Sequence, residues 1–196
     1  MSKVVIKTAD LVIVAVGAAL YYLAGCVTAG FLSIPAVSWL YLPSAIAAPW
    51  GIWFGVWGVL ATYIGGVLIQ QLYGIPYVPW GIILGFAEIW DALIPMLVFK
   101  GLKLDESMRS WKSWVALTLC SIASGGIGGI IGFSIYVLMG FYTWESIFTW
   151  AALGAWWISV IIDMVPIGGI ILYTVSPYVT KSSLYIKGFI RVRTEG

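Results

Sequence analysis

The apolar stretch from Trp80 to Phe99 constrains the fold of this chain more than any other. It is long enough to cross a lipid bilayer as one helix, which takes about 20 residues. It nevertheless carries Glu88 and Asp91, which share one face of a helix because they are three residues apart. No lysine, arginine or histidine lies within an apolar stretch to neutralise them. Charged carboxyl groups are unfavourable at that depth, so we expect both to face the interior of a helical bundle.

The rest of the sequence is equally apolar. Hydrophobic residues make up 62% of it and charged residues 9%, and the mean hydropathy is +1.03. A soluble domain of this size could not bury so much apolar surface. The composition therefore predicts an all-α integral membrane protein, multi-pass in the cell membrane, with residues 1–196 forming a single transmembrane domain. We interpret the first apolar stretch, from Leu11, as a retained helix and not as a cleaved signal peptide.

Six apolar stretches predict a bundle of six transmembrane helices. Their approximate bounds are 11–32, 38–49, 51–72, 80–99, 113–139 and 148–177. The second is short for a full crossing, so it is tilted, broken or partly re-entrant. The glycine-rich segment Ser124–Gly132 in the fifth predicts either very close helix packing or a locally unwound stretch.

The basic residues predict the orientation of the bundle. All ten lie near the chain ends or between the fourth and fifth helices. Six crossings place all of them on one side of the membrane. The positive-inside rule makes that side cytoplasmic, so both the N and the C terminus are expected in the cytoplasm. The loops near residues 33–37, 73–79 and 140–147 then face outward.

Several classes of function are disfavoured by what the sequence lacks. There is no histidine, which is the commonest metal ligand and proton shuttle. No nucleophile–base motif is present, so we expect no enzymatic activity, no catalytic residue, no metal and no cofactor. No phosphate-binding loop is present either, so ATP-driven transport would need an ATPase on another chain. The net charge of +2 comes from terminal and loop residues and does not indicate nucleic-acid binding.

Three acids lie within apolar stretches, and they are the main candidates for function: Glu88, Asp91 and Asp163. Each could be a hydrogen-bonded packing device. Alternatively, the acids form a site for a cationic or hydrogen-bond-donating ligand, because an acid pair without a counter-charge attracts positive groups. A proton relay is a third interpretation, since neighbouring carboxyls raise each other's pKa.

Aromatic and neutral polar side chains complete the expected substrate-binding site. An aromatic box beside carboxylates suits a flat or cationic ring through stacking and cation–π contact. The expected members besides the acids are Trp39, Tyr63, Trp90 and Trp157. Gln70 and Gln71 either add hydrogen bonds to this site or are satisfied by solvent near the outer end of the third helix.

Three segments resemble a known family. The first helix has an A-x-x-x-A pattern at Ala15 and Ala19, the third reads FGVWGVLATYIGGVLIQQLYG, and the last reads DMVPIGGIILYTVSPYV. With six helices and both ends inside, this layout resembles the substrate-binding S components of energy-coupling factor (ECF) vitamin transporters. The resemblance covers most of the chain, through its layout more than through individual residues.

The resemblance implies a binding subunit for a small vitamin-like solute, such as a cationic heterocycle, with a pocket open to the outside. Ala15 and Ala19 would dock on a transmembrane coupling subunit driven by cytoplasmic ATPases on separate chains. Small residues suit that role because they permit close helix contact. Two other functions remain open, a proton-coupled secondary transporter and a non-transport membrane sensor or assembly protein. The absence of an obvious internal repeat counts against the secondary transporter.

Overall fold

The computed structural model describes residues 2–31, 33–34, 37–38 and 40–194. Most of these residues are helical, and five helical segments among them are long and apolar enough to cross a membrane. The segments are Thr8–Ala29, Val56–Tyr73, Tyr77–Gly101, Trp111–Leu138 and Trp150–Val179. The expected helical membrane fold is confirmed at this level.

The helices follow the apolar stretches of the sequence, and three of the five long segments contain irregular turns. The elements before the loop at 102–110 are β1 (Ser2–Val4), α1 (Thr8–Phe31), β2 (Ser33–Ile34), β3 (Val37–Ser38), α2 (Pro43–Phe54), α3 (Val56–Ile69), a 3-10 turn (Gln70–Tyr73), a wide turn (Tyr77–Gly81), α4 (Ile82–Glu88) and α5 (Trp90–Gly101). Those after it are α6 (Trp111–Leu138), α7 (Trp144–Ile147), a wide turn (Trp150–Gly154), α8 (Ala155–Ile162), a second wide turn (Asp163–Gly168), α9 (Gly169–Val179) and β4 (Val192–Thr194). The glycine-rich segment of α6 is continuous helix, so of the two expected alternatives the structure shows close packing.

The second helix lies further along the chain than its predicted bounds of 38–49. Pro43 occupies its first turn, where a missing amide hydrogen breaks no helical bond. The helix then continues past Pro49 and ends before Gly55, whose φ of 61° is a left-handed conformation that favours glycine. At 12 residues, α2 is shorter than the five segments that are long enough to cross a membrane.

The two ends of the chain lie together at one end of the bundle. β1 pairs antiparallel with β4, and the Arg191 Nε atom lies 2.9 Å from the Asp10 Oδ1 atom at the start of α1. The C-terminal segment, residues 180–191, connects α9 to β4. It contacts the junction of α2 and α3, where the Val56 amide donates to the Phe189 carbonyl at 2.9 Å. β1, β4 and the loop at 102–110 lie at this end, and each of them carries basic residues. We therefore call it the basic end.

A buried ion pair at the basic end joins α5 to the loop at 102–110, and hydrogen bonds tie residues 185 and 186 to it. The Lys100 side chain is 2% exposed, and its Nζ atom lies 3.7 Å from Glu106 Oε1 and donates to the Ile186 carbonyl at 2.5 Å. The Tyr185 hydroxyl donates to the same Glu106 oxygen at 2.8 Å. Burial raises the pKa of the Glu106 carboxyl, and the Lys100 ammonium opposes that rise.

Replacing Lys100 with methionine is expected to destabilise the protein in a pH-dependent way. At mildly alkaline pH the loss is about 1–2 kcal/mol, because the Glu106 carboxylate stays largely buried without its cation. Without Lys100 the pKa of Glu106 rises further, so the carboxyl protonates and the loss shrinks as the pH falls. Thermal unfolding in detergent at mildly acidic and mildly alkaline pH measures both effects. The double variant with Glu106→Gln should recover most of the loss, and an equal loss at both pH values would contradict the assignment.

Large apolar side chains fill the half of the bundle near the basic end. Trp53, Phe99, Leu117, Met164 and Leu172 are buried in one cluster there. The Trp53 indole donates to the Ser176 hydroxyl at 2.8 Å, so its polar atom is also satisfied. This packing leaves the opposite half of the bundle as the place where a cavity can form.

Candidate binding site

An acidic and aromatic cavity lies in the half of the bundle away from the basic end. The empty space among its lining residues is about 490 Å³, a figure that includes the solvent-filled space at its mouth. Aromatic side chains from the segment before α2, the 3-10 turn after α3, α6 and α8 form much of the wall: Tyr41, Tyr73, Phe133, Tyr136 and Trp156.

Glu88 is the acid that lines this cavity. It is the last residue of α4 and is 7% exposed. Its Oε2 atom accepts hydrogen bonds from the Tyr21 hydroxyl at 2.6 Å and the Tyr41 hydroxyl at 3.0 Å. Within the described part of the chain, no donor contacts Oε1. That oxygen is therefore the one available to a molecule in the cavity.

Two adjacent glycines on α3 make room for the bond between Tyr21 and Glu88. A Cβ atom at Gly65 would lie 2.7 Å from the Tyr21 Cβ, and one at Gly66 would lie 2.7 Å from the Glu88 Cγ. Larger residues would push α1 and α4 away from α3. The Gly65–Gly66 pair therefore sets the distance at which a phenol on one helix meets a carboxyl on another.

Asp91 and Asp163 lie behind the cavity and not at its wall. The Ser44 hydroxyl donates to Asp91 Oδ2 at 2.5 Å. The Tyr41 amide donates to Asp163 Oδ2 at 2.5 Å, and the Ser159 hydroxyl donates to the same oxygen at 3.2 Å. Both acids thus hold the start of α2, where a helix N-terminus favours negative charge. Of these three acids, Glu88 alone lines the cavity in the part of the chain that the structure describes.

Tyr41 connects the cavity to the acids that hold α2. Its amide binds Asp163, its hydroxyl binds Glu88, and its ring lies 4.8 Å from the Trp156 ring, centroid to centroid. Tyr41 is 3% exposed, so all these contacts are shielded from solvent. A change in the position of α2 would therefore change the wall of the cavity.

The other predicted site residues lie elsewhere. Trp90 does not line the cavity, and its carbonyl accepts from the Ser124 hydroxyl at 2.9 Å. Tyr63 packs on Phe86 outside the cavity, and the Trp157 indole donates to the Ile122 carbonyl at 2.7 Å. The structure therefore does not bring Tyr63, Trp90 or Trp157 together with Glu88. Trp39 lies outside the described residues.

Sequence reasoning missed the polar side chains that hold the acids. Tyr21, Ser44 and Ser159 are almost fully buried, and each donates a hydrogen bond to one of the three carboxyls. The sequence does contain a signal for these residues. A buried carboxyl requires hydrogen-bond donors, and the few polar residues within apolar stretches are the candidates. Gln70 lines the cavity and is 2% exposed, so solvent does not satisfy it.

The predicted docking residues lie on the outer face of α1. Ala15 and Ala19 are exposed, whereas Ala18 is 4% exposed and faces the bundle. A Cβ atom at Gly17 would collide with the Trp50 ring, so that face is already closely packed. The Ala15–Ala19 face is therefore free to contact lipid or another helix.

The arrangement places one carboxyl group and several aromatic rings around a cavity. Within the part of the chain that the structure describes, no three histidine, cysteine, aspartate or glutamate side chains lie close enough to hold a metal ion. Comparison with protein-family models, curated proteins and solved structures found no match to this chain. The function must therefore be argued from the cavity itself.

Proposed function

We propose that this chain is the substrate-binding membrane subunit of an ATP-driven importer of the ECF type, and that it binds a small vitamin-like solute. The observation that carries the proposal is a cavity in which one carboxylate stands among five aromatic side chains. Such a site suits a solute with a flat ring and a positive or hydrogen-bond-donating group.

The charge pattern supports a cavity that opens to the outside. The basic residues lie at the end of the bundle opposite the cavity, and the pairing of β1 with β4 holds residues 2–4 and 192–194 at that end. By the positive-inside rule that end is cytoplasmic, in the cell membrane. Since α1 begins and α2 ends there, α2 counts as the sixth crossing in this arrangement, and the chain crosses the membrane an even number of times.

The outer face of α1 is proposed to dock on a transmembrane coupling subunit. Ala15 and Ala19 are exposed there and small enough for close helix contact. The sequence has no phosphate-binding loop, so the ATPases that drive import are on separate chains. Lipid covers this face when the partner is absent.

Co-expression with coupling and ATPase subunits from the same source tests the proposal. The proposed function requires that the subunits copurify and that uptake of the bound solute depends on ATP. Leucine at both Ala15 and Ala19 should reduce copurification, whereas Ala151→Leu, at another exposed alanine, should not. Uptake by this chain alone that a protonophore abolishes would contradict the proposal and favour a proton-coupled transporter.

Filling the cavity from Gly132 is expected to weaken binding without loss of folding. Gly132 lines the cavity, and a Cβ atom there would meet only the Ala87 Cβ, at 3.5 Å. A leucine side chain at this position therefore projects into space that the solute needs. We expect Gly132→Leu to weaken binding roughly tenfold, in line with the energetic effect of overpacking.

Equilibrium binding to the purified protein measures this effect. Gly126→Ala is the matched control, because Gly126 is on the same helix but outside the cavity, and its Cβ would lie 3.4 Å from the Trp157 ring. Unchanged affinity in a folded Gly132→Leu protein would show that the solute binds elsewhere.

A further inference from the structure

Two polar atoms at the wall of the cavity have no hydrogen-bond partner in the described part of the chain. They are the Gln70 Oε1 atom and the Trp156 Nε1 atom, and both are buried. Buried polar atoms are paired in the large majority of cases, because an unmade bond is unfavourable. An acceptor and a donor that stay unpaired in a cavity are therefore candidate ligand contacts.

The orientation of the Gln70 amide identifies which of its atoms is free. Its Nε2 atom donates to the Gly66 carbonyl at 3.2 Å. A carbonyl can only accept, so the nitrogen must be on that side, and the oxygen is the unpaired atom. Gln70 therefore offers an acceptor to a ligand and requires a donor in return.

The Trp156 indole is held in place by its neighbours. Its ring stacks at a tilt on Tyr41, and a Cβ atom at Gly129 would lie 2.8 Å from the Trp156 Cδ1. Only a glycine at position 129 leaves room for the indole at this distance. The indole N–H is a donor only, so it requires an acceptor on the ligand.

The charge of the cavity excludes a class of ligands. Among the described residues, Glu88 is the one carboxylic acid that lines the cavity, and no lysine or arginine lines it. A phosphate or carboxylate on the ligand would face a like charge in a site of low dielectric and would find no cation. An amine or amidine group would instead make a charge-assisted hydrogen bond to Glu88.

We infer that the cavity selects a flat nitrogen heterocycle with an amine or amidine group for Glu88, a second N–H donor for Gln70 and a ring acceptor for the Trp156 indole. The same ligand carries no phosphate and no carboxylate. This inference rests on the proposed function of the cavity as a binding site, and it names the chemical class of the solute. It also makes Gln70 and Trp156 the residues that determine specificity.

The test compares rings of one size that differ in their polar groups. The probes are 2,4-diaminopyrimidine, uracil and orotate, with 2,6-diaminopurine and xanthine as a two-ring pair. Binding to the full-length protein in lipid nanodiscs is measured by tryptophan fluorescence and calorimetry. We expect each diamino probe to bind at least about tenfold more tightly than its oxo counterpart, because an amine or amidine makes a charge-assisted hydrogen bond to Glu88 and a carbonyl oxygen in the same place does not. We expect no binding of orotate.

Conservative variants separate specificity from folding. Gln70→Met keeps the length of the side chain but removes the acceptor, and Trp156→Phe removes the indole N–H. Each should reduce the preference for diamino over oxo probes about tenfold, the effect of one lost hydrogen bond. Gln71→Met is the control, since Gln71 is exposed and its amide donates to the Ile75 carbonyl at 2.8 Å. An unchanged preference in both cavity variants would overturn the roles of Gln70 and Trp156.

The outcomes distinguish this inference from the proposed function. Equal or tighter binding of uracil or orotate would overturn the ligand class and leave the cavity as a binding site. If no probe binds, the ligand class is tested by identifying the molecule that copurifies with the protein. An amine-bearing heterocycle would support the inference, and an acid or a phosphorylated compound would overturn it. A protein that binds and retains no molecule of any class would contradict the proposed function itself.

Discussion

Replacing Glu88 with glutamine is expected to weaken solute binding roughly 30-fold to 100-fold, which corresponds to about 2–3 kcal/mol for a hydrogen bond to a charged group. Glutamine has the shape of glutamate, so the cavity keeps its volume but loses its negative charge. The amide oxygen can still accept from the Tyr21 and Tyr41 hydroxyls, which places the N–H₂ group at the position of Oε1. An amine on the solute then meets a donor instead of a carboxylate oxygen.

Asp91→Asn is the matched control for this prediction. Asp91 does not line the cavity, and an asparagine oxygen can still accept from the Ser44 hydroxyl. We expect binding to stay within about threefold of the wild type, the range of a surface or remote substitution. Calorimetry on both variants measures the difference. Equal loss of binding in the two variants would contradict the separate roles that the structure gives to these acids.

Replacing Gly51 with alanine is expected to prevent stable folding. A Cβ atom at Gly51 would collide with the Ala92 carbonyl oxygen and lie 2.9 Å from its carbonyl carbon, so α2 packs on α5 through backbone atoms. A backbone cannot move aside as a flexible side chain can. We therefore expect the free energy of unfolding to fall by about 3 kcal/mol or more, at the upper end of overpacking effects. The start of α2 would shift as well, because it is held by Ser44 and Tyr41.

Gly101→Ala gives the comparison for Gly51→Ala. Gly101 is also in a helix, and a Cβ atom there would meet nothing within 4 Å. Alanine has the higher helix propensity, so this variant should be as stable as the wild type. Thermal unfolding and the yield of monodisperse protein in detergent measure both variants. If Gly51→Ala is as stable as Gly101→Ala, that result would contradict the backbone contact between α2 and α5 at Gly51.

The membrane-spanning helices could be predicted because a chain with this many long apolar runs cannot bury them all in a soluble fold. The bounds of α2 could not be predicted from the sequence. Pro49 and Gly51 look like a break in the sequence, yet the helix continues through both and ends before Gly55. A Cβ atom at Gly55 would collide with the Phe189 carbonyl oxygen, so the left-handed turn there depends on the C-terminal segment. That contact joins residues far apart in sequence, and no local pattern indicates it.

The candidate site could be predicted only in part for a related reason. The spacing of Glu88 and Asp91 correctly indicates that both face the interior of the bundle. It does not indicate which helix each acid meets. Glu88 ends α4 and Asp91 lies in the first turn of α5, so the two side chains have different neighbours. Almost every helix face is apolar in this sequence, and hydrophobic periodicity therefore could not identify the wall of a cavity.

The most direct test of a solute-binding cavity is native mass spectrometry of the gently purified protein. We predict that the wild-type protein retains a small amine-bearing heterocycle and that Glu88→Gln retains little of it. Asp91→Asn should retain it as the wild type does. A wild-type protein that carries no small molecule, and acquires none from a metabolite extract of its source, would contradict a solute-binding role. Retention of the same molecule in the same amount by Glu88→Gln would show that the solute does not bind next to Glu88.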